Sequence, residues 1–268
     1  MKNARRIFAW IALAAVVLLC VAPMFIAMIT KNPDYFRASV ACVIIAPVLF
    51  FVIVWFTKIM KPAKSPLIDA VIFDVGMVLI DFQWRRVMKE LEFSDETIAY
   101  LDKNLIHNPL WNQFDEGIRP YQDVVDQFCQ EHPQYENEIR TFIKHKPETI
   151  VKFPYTDAWI DSLRASGYQT YIVSNWSVNI YENCKDTSID FHKKMEGCIW
   201  SYQEKCAKPD LKIYQLLIDR YHLDPSRCVF LDDRQANLDA AAQLGIHTLL
   251  VTKDHKDTLN KLAALGVK

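Results

Sequence analysis

Two long uncharged runs, 7–29 and 38–56, open the chain, and from about residue 67 the pattern breaks into short apolar runs alternating with amphipathic ones. Residues 70–73 form a short apolar run that ends in Asp74, with Gly76 two positions on. The run is too short for a helix and is bounded by turn chemistry, so it predicts a buried strand. From Asp81 to Pro154 the spacing turns helical. Segments 85–91, 95–105, 121–131 and 135–146 suit helices, punctuated by Pro109, Pro120, Pro133 and Pro147, and no strand is predicted among them. Strand–helix alternation then resumes. A helix over 157–165 takes Thr156 or Asp157 as its N-cap and stops at Gly167, and a strand runs up to Ser174. A short strand spans 197–200, and Pro209 opens a helix that reaches about Tyr221. A strand ends at Asp232, a helix over 237–244 stops at Gly245, and a last strand (247–251) and helix (257–265) close the chain. Such alternation argues for an α/β fold with a parallel sheet covered on both faces.

The two opening runs are each long enough, at 1.5 Å per helical residue, to span a hydrocarbon core about 30 Å thick. They predict a transmembrane hairpin over 1–60, joined by the short loop 31–37 and followed by a proline-marked linker at 61–66. Pro23 and Pro47 fall inside the spans, where neighbouring helices re-satisfy freed carbonyls. Lys2, Arg5 and Arg6 before the hairpin and Lys58, Lys61 and Lys64 after it outnumber Lys31 and Arg37 in the loop. This bias predicts a multi-pass membrane protein with both termini and the following domain in the cytoplasm, and Trp10, Tyr35, Phe36 and Trp55 suit an interfacial belt. A cleaved signal peptide is the rival reading of the basic start, but the apolar run is long for one.

Composition narrows the function. A formal net charge of −1 gives no basic signature for nucleic acid, so no nucleic-acid partner is expected. The seven cysteines are scattered and none forms a Cys-x-x-Cys pair, which suggests neither a disulfide framework nor a zinc site.

Chemistry concentrates at the strand ends, where open α/β sheets bind their ligands. In chain order these ends supply Asp74, then Ser174-Asn175, then Lys208 just before Pro209, then the pair Asp232-Asp233. This series resembles the haloacid dehalogenase (HAD) superfamily of hydrolases, over roughly 67–268. The resemblance implies a Rossmann-like parallel sheet, with the first strand central between those ending in Ser174 and Asp232. It makes the insertion at about 82–150 an all-helical cap that closes over the site. It also implies a phosphate monoester hydrolase working through an aspartyl-phosphate. Asp74 would be the nucleophile. Lys208 would supply fixed positive charge, and Ser174 and Asn175 would hold phosphate oxygens. Three clustered acids need a cation, and Mg²⁺ prefers carboxylate and carbonyl oxygens, here those of Asp74, Asp232, Asp233 and the Gly76 backbone. The substrate class implied is a small phosphate ester, with sugar phosphates among those used by related members, at a membrane-tethered site. The acid pair favours a Mg²⁺-dependent phosphatase over a dehalogenase, which uses no metal.

One position departs from the pattern. Typical family phosphatases carry a second Asp two residues after the nucleophile as general acid, and this chain has Gly76. General acid catalysis is worth about 10²–10⁴-fold. Asp81, Asp115 and Glu116 are the candidate replacements, each equally readable as a turn or capping residue. Trp84, Trp111 and Trp176 could line the pocket or simply pack cap on core. The alternative function is a weak or inactive phosphate-binding module serving a membrane complex as sensor or scaffold.

Overall fold

The computed structural model describes Ile29 and residues 68–267. Apart from that one position, the expected hairpin and its linker lie outside the described residues. Among the described residues, no helix is long and apolar enough to cross a membrane. The chain divides into two compact units, Met1–Lys64 and Ser65–Lys268, and the elements below belong to the second.

Its described residues form seven strands: β1 (Ala70–Phe73), β2 (Ile80–Phe82), β3 (Ile150–Lys152), β4 (Gln169–Ser174), β5 (Gly197–Trp200), β6 (Cys228–Asp232) and β7 (His247–Leu250). Five of them form a parallel sheet in the order β5-β4-β1-β6-β7. β1 is central because it is apolar throughout and buried on both faces, as parallel strands covered by helices must be. Its side chains alternate between two cores. Val71 and Phe73 join Ile172, Val229 and Leu231 beneath Trp159 and Ile160, whereas Ala70 and Ile72 join Tyr171, Val173 and Phe230 beneath Ile213, Tyr214 and Leu217. Each large apolar side chain so buried contributes about 1.5–3 kcal/mol.

The insertion after β1 carries helices α1 (Trp84–Glu90), α2 (Asp95–Leu101), α3 (Asn112–Glu116), α4 (Tyr121–Glu131) and α5 (Glu136–His145) around a core of their own. α2 runs directly into a π-helical turn, Asp102–Ile106. The interval is not all-helical as expected. β2 and β3 pair antiparallel, with Ile80 opposite Lys152 and Phe82 opposite Ile150, and form a stem under the helices. Two three-residue strands are too short to leave an alternation in the sequence, and they lie far apart along it.

After β3 come α6 (Thr156–Ala165), α7 (Val178–Cys184), α8 (Ser201–Glu204), α9 (Leu211–Tyr221), α10 (Gln235–Gln243) and α11 (His255–Ala264). Two expected helix starts are corrected. Neither Thr156 nor Asp157 caps α6, because the Thr156 hydroxyl instead donates to Leu79 O on the stem at 2.6 Å. α9 opens at Leu211 rather than Pro209, because the Asp210 carboxylate accepts from Lys212 N–H at 2.9 Å and caps the helix there.

Candidate active site

The register of the sheet gathers the site. Phe73 lies opposite both Ile172 of β4 and Leu231 of β6, so Asp74 emerges beside Asp232 and close to Ser174 at the same end of the sheet. Asp74 is buried, and every hydrogen bond its carboxylate accepts falls on one oxygen. Oδ1 receives Val75 N–H at 2.6 Å, the Ser174 hydroxyl at 2.6 Å and Lys208 Nζ at 2.8 Å. Among the described residues Oδ2 accepts no hydrogen bond, and Asp74 lines the cleft.

Lys208 is the keystone. Its ammonium, with the side chain only 2% exposed, lies 2.8 Å from Asp74 and 2.7 Å from Asp232 Oδ2. Burial alone would lower its pKa, but the two carboxylates outweigh that and hold it above the ordinary lysine value. The Asp74 carboxyl is pushed up by burial, drawn down by Lys208 and pushed up again by Asp232, with a net rise. One ammonium cannot neutralise two buried acids, so the cluster is short of positive charge. Asn175 fixes this lysine through its backbone: the amide oxygen accepts from Lys208 N–H at 2.7 Å and the amide nitrogen donates to Lys208 O at 2.9 Å. The Ser174 hydroxyl, expected on phosphate, is engaged with Asp74 and the Asn175 side chain with the Lys208 backbone, and the backbone N–H is the group of Asn175 expected on phosphate.

The donor set fits a hard divalent cation. Asp74, Asp232 and Asp233 each offer a carboxylate oxygen, all within 4.8 Å of one another. All-oxygen ligation of this kind suits Mg²⁺. The two acids of the pair are not equivalent. Asp232 is wholly buried and already accepts from Lys208, from Asn237 Nδ2 at 3.0 Å and from Arg234 N–H at 2.8 Å. Asp233 sits at the rim, where partial burial of its carboxyl and repulsion from Asp74 and Asp232 raise its pKa to about 6. It is the freer ligand, and Asp232 the anchor of Lys208. Gly76 lines the cleft, and a Cβ built there meets nothing within 4 Å.

The cap supplies the opposite wall of the cleft, which includes Trp111, Asp115 and Lys146, with Ile150 from the stem and Trp176 from the core. Trp84 does not line it; its ring stacks under Arg85, 4.1 Å away, and meets His107 edge-on. Asp81 lies on the stem and accepts from Gln83 Nε2 at 2.9 Å, outside the cleft lining. Glu116 borders a neighbouring depression instead. The Asp115 segment is clasped to the core. Ser201 Oγ contacts Asp115 O at 2.5 Å and accepts from Trp176 N–H at 2.8 Å, so one hydroxyl joins the cap to the loop after β4. Gly117, at φ 61°, brings this turn so near α8 that a Cβ would lie 2.7 Å from Tyr202 O.

Lys146 and Asn237 were missed in the sequence. Lys146 continues the apolar stripe Ile139, Phe142 and Ile143 at helical spacing, and a lysine on a buried stripe was the available signal. Asn237 stands five residues after Asp232, and only the turn into α10 shows why that spacing brings them together.

Residues 68–245 match the model of the haloacid dehalogenase-like hydrolase family, and the chain belongs to that family. Relatives include mouse acyl-CoA dehydrogenase family member 10, 28% identical over 58% of this chain but only 15% of that protein. A sesquiterpene phosphatase of Aspergillus oryzae is 22% identical over 68% of this chain and 89% of its own. An (S)-2-haloacid dehalogenase of Pseudomonas is 24% identical over 65% and 61%. Among solved structures, a HAD-like hydrolase from Porphyromonas gingivalis superposes with a TM-score of 0.59 at 19% identity, covering 74% of this chain and 98% of its own. A HAD family enzyme from Bacteroides thetaiotaomicron, solved with magnesium and inorganic phosphate, gives 0.56 at 21% identity, covering 70% and 96%.

Proposed function

We propose that this chain is a Mg²⁺-dependent hydrolase of phosphate monoesters, tethered to a membrane by segments 7–29 and 38–56. One observation carries the chemistry: a buried carboxylate pinned through Oδ1 alone, in the lining of a cleft and beside two further acids. Asp74, Asp233 and the Gly76 carbonyl would hold the ion, with Asp232 behind them. Bound Mg²⁺ supplies the positive charge that shields the attacking carboxylate and polarises the phosphate. Asp74 Oδ2 forms a bond to phosphorus as the ester oxygen leaves with its electron pair, and water then cleaves the aspartyl-phosphate. Lys208 stays protonated throughout and offsets phosphate charge. The phosphatase relative, which this chain matches over most of that protein's length, supports this reading, as does the fold neighbour that carries magnesium and phosphate. Asp233 argues against the dehalogenase chemistry of other relatives, since attack on neutral carbon gains nothing from a third acid and its cation.

The test is turnover of p-nitrophenyl phosphate by the full chain with Mg²⁺. Turnover should vanish in Asp74→Asn and on chelation. Halide release from 2-chloropropionate without phosphatase activity would replace this reading. A second reading, a phosphate-binding module without catalysis, draws on Gly76 alone. It predicts retained phosphate binding and no turnover even of this activated ester.

A further inference from the structure

Two opposite charges face the cleft from the cap without meeting. Lys146 is 1% exposed, yet it lines the cleft. Its ammonium rests over the rings of Trp111 and Phe114, at 4.2 and 4.6 Å from their centroids. Among the described residues its ammonium makes one hydrogen bond, a long one of 3.4 Å to Ser177 Oγ. An ammonium has three donors, so this one is under-used at a depth where unmet donors are costly. Asp115 lines the same cleft. Among the described residues its carboxylate accepts no hydrogen bond, and only its backbone oxygen is engaged, by Ser201. The two groups sense each other electrostatically but form no ion pair. One cleft is thus lined by an under-used donor and a free acceptor that form no ion pair with each other.

We propose that Asp115 and Lys146 form a clamp for a hydroxyl on the alcohol portion of the phosphate ester, and so select esters whose leaving group is hydroxylated. A hydroxyl accepts from the ammonium and donates to the carboxylate at once, and it is the smallest neutral group that satisfies both. A second anion on the leaving group would meet Asp115, and an amine would meet Lys146. The walls around the pair, Phe82, Trp111, Ile150, Trp176 and Ile180, suit the carbon skeleton of such a molecule. The apolar lining alone would accept any alkyl phosphate, so the clamp is where discrimination arises. A site built to hydrogen-bond a hydroxyl rejects the analogue that lacks it far better than an apolar pocket rejects an extra one.

This inference deepens the phosphatase reading, so its test separates binding from turnover. Binding to the full chain bearing Asp74→Asn is measured by calorimetry with Mg²⁺. Propyl and hexyl phosphate are compared with glycerol 1-phosphate, glucose 1-phosphate and glucose 6-phosphate. At least one hydroxylated ester should bind about tenfold or more tighter than the alkyl ester of equal carbon number, as expected for hydrogen bonds to charged groups. Adding Asp115→Asn or Lys146→Met should cut that preference to within about threefold, whatever the change in affinity common to all esters. Equal affinity of every matched pair overturns the clamp, and so does a uniform loss across all esters in both variants. Those outcomes hold whether or not the wild-type chain turns over p-nitrophenyl phosphate, so failure of the clamp and failure of the phosphatase reading are distinguishable.

Discussion

At the scale of single residues, Gly76 marks the sharpest difference between this site and a well-equipped phosphatase. It has no positive φ and an open space where a Cβ would go, so a side chain fits without displacing anything. Gly76→Asp should therefore fold normally and raise kcat on alkyl phosphates by at least about tenfold, because protonation of a poor leaving group is worth about 10²–10⁴. Turnover of p-nitrophenyl phosphate, whose leaving group needs little help, should change far less. An unchanged alkyl phosphate rate in the folded variant would show that another acid already does this task. Lys146 makes a second prediction. Burial lowers its pKa from 10.5 to about 8, with Asp115 opposing, so the unfolded chain binds the extra proton more readily between those values. The folded protein bears the full cost of the buried charge below about 8 and loses that cost as pH rises towards 10.5. Lys146→Met should raise stability by up to about 3 kcal/mol at neutral pH, with the gain fading above pH 8, as read by denaturant unfolding across pH. A gain independent of pH would mean that packing, not charge, explains it. Asp74, Ser174 and Asp232 were legible as residues because each ends an apolar run, and Lys208 because it immediately precedes Pro209. Their partition was not. That Asp232 serves Lys208 while Asp233 faces the cleft depends on Asn237 and on the turn into α10, which only the fold brings into place.

At the scale of elements, the parallel strands were legible because buried runs bounded by turn residues have few other uses. The stem was not. β2 and β3 are too short to display a period and are separated by the entire insertion, so nothing local announces their pairing. α6 misled the capping argument because Thr156 turned to the stem carbonyl of Leu79, a tertiary contact that outcompetes the local cap. The turn after α3 carries the third prediction. Gly117→Ala combines a left-handed backbone with a Cβ 2.7 Å from Tyr202 O and 2.8 Å from Tyr202 Cα, backbone atoms that cannot swing aside. The substitution should cost about 2–3 kcal/mol. It should also lower kcat/KM by shifting Asp115. A melting temperature equal to wild type would show that the turn yields without strain.

At the scale of the whole molecule, the N-terminal runs and the catalytic domain obey different patterning rules, and each was read by its own. The runs are uncharged over a bilayer's width, whereas the domain alternates strand and helix. The tether proposed for segments 7–29 and 38–56 predicts that the chain stays with membranes through high-salt and alkaline washes and leaves only in detergent. Extraction by salt alone would remove it. Within the domain, the Ser201 hydroxyl holds Asp115 O on one side and Trp176 N–H on the other. It works as a latch with two bolts. Loss of the Asp115 contact would leave the hydroxyl with Trp176 alone, whose N–H it accepts from at 2.8 Å and whose carbonyl lies 3.4 Å away. On the phosphatase reading, any opening of the cap that breaks the Asp115 contact would also disturb the loop next to Asn175, the residue that fastens Lys208, so one side-chain oxygen would couple the cap to the lysine.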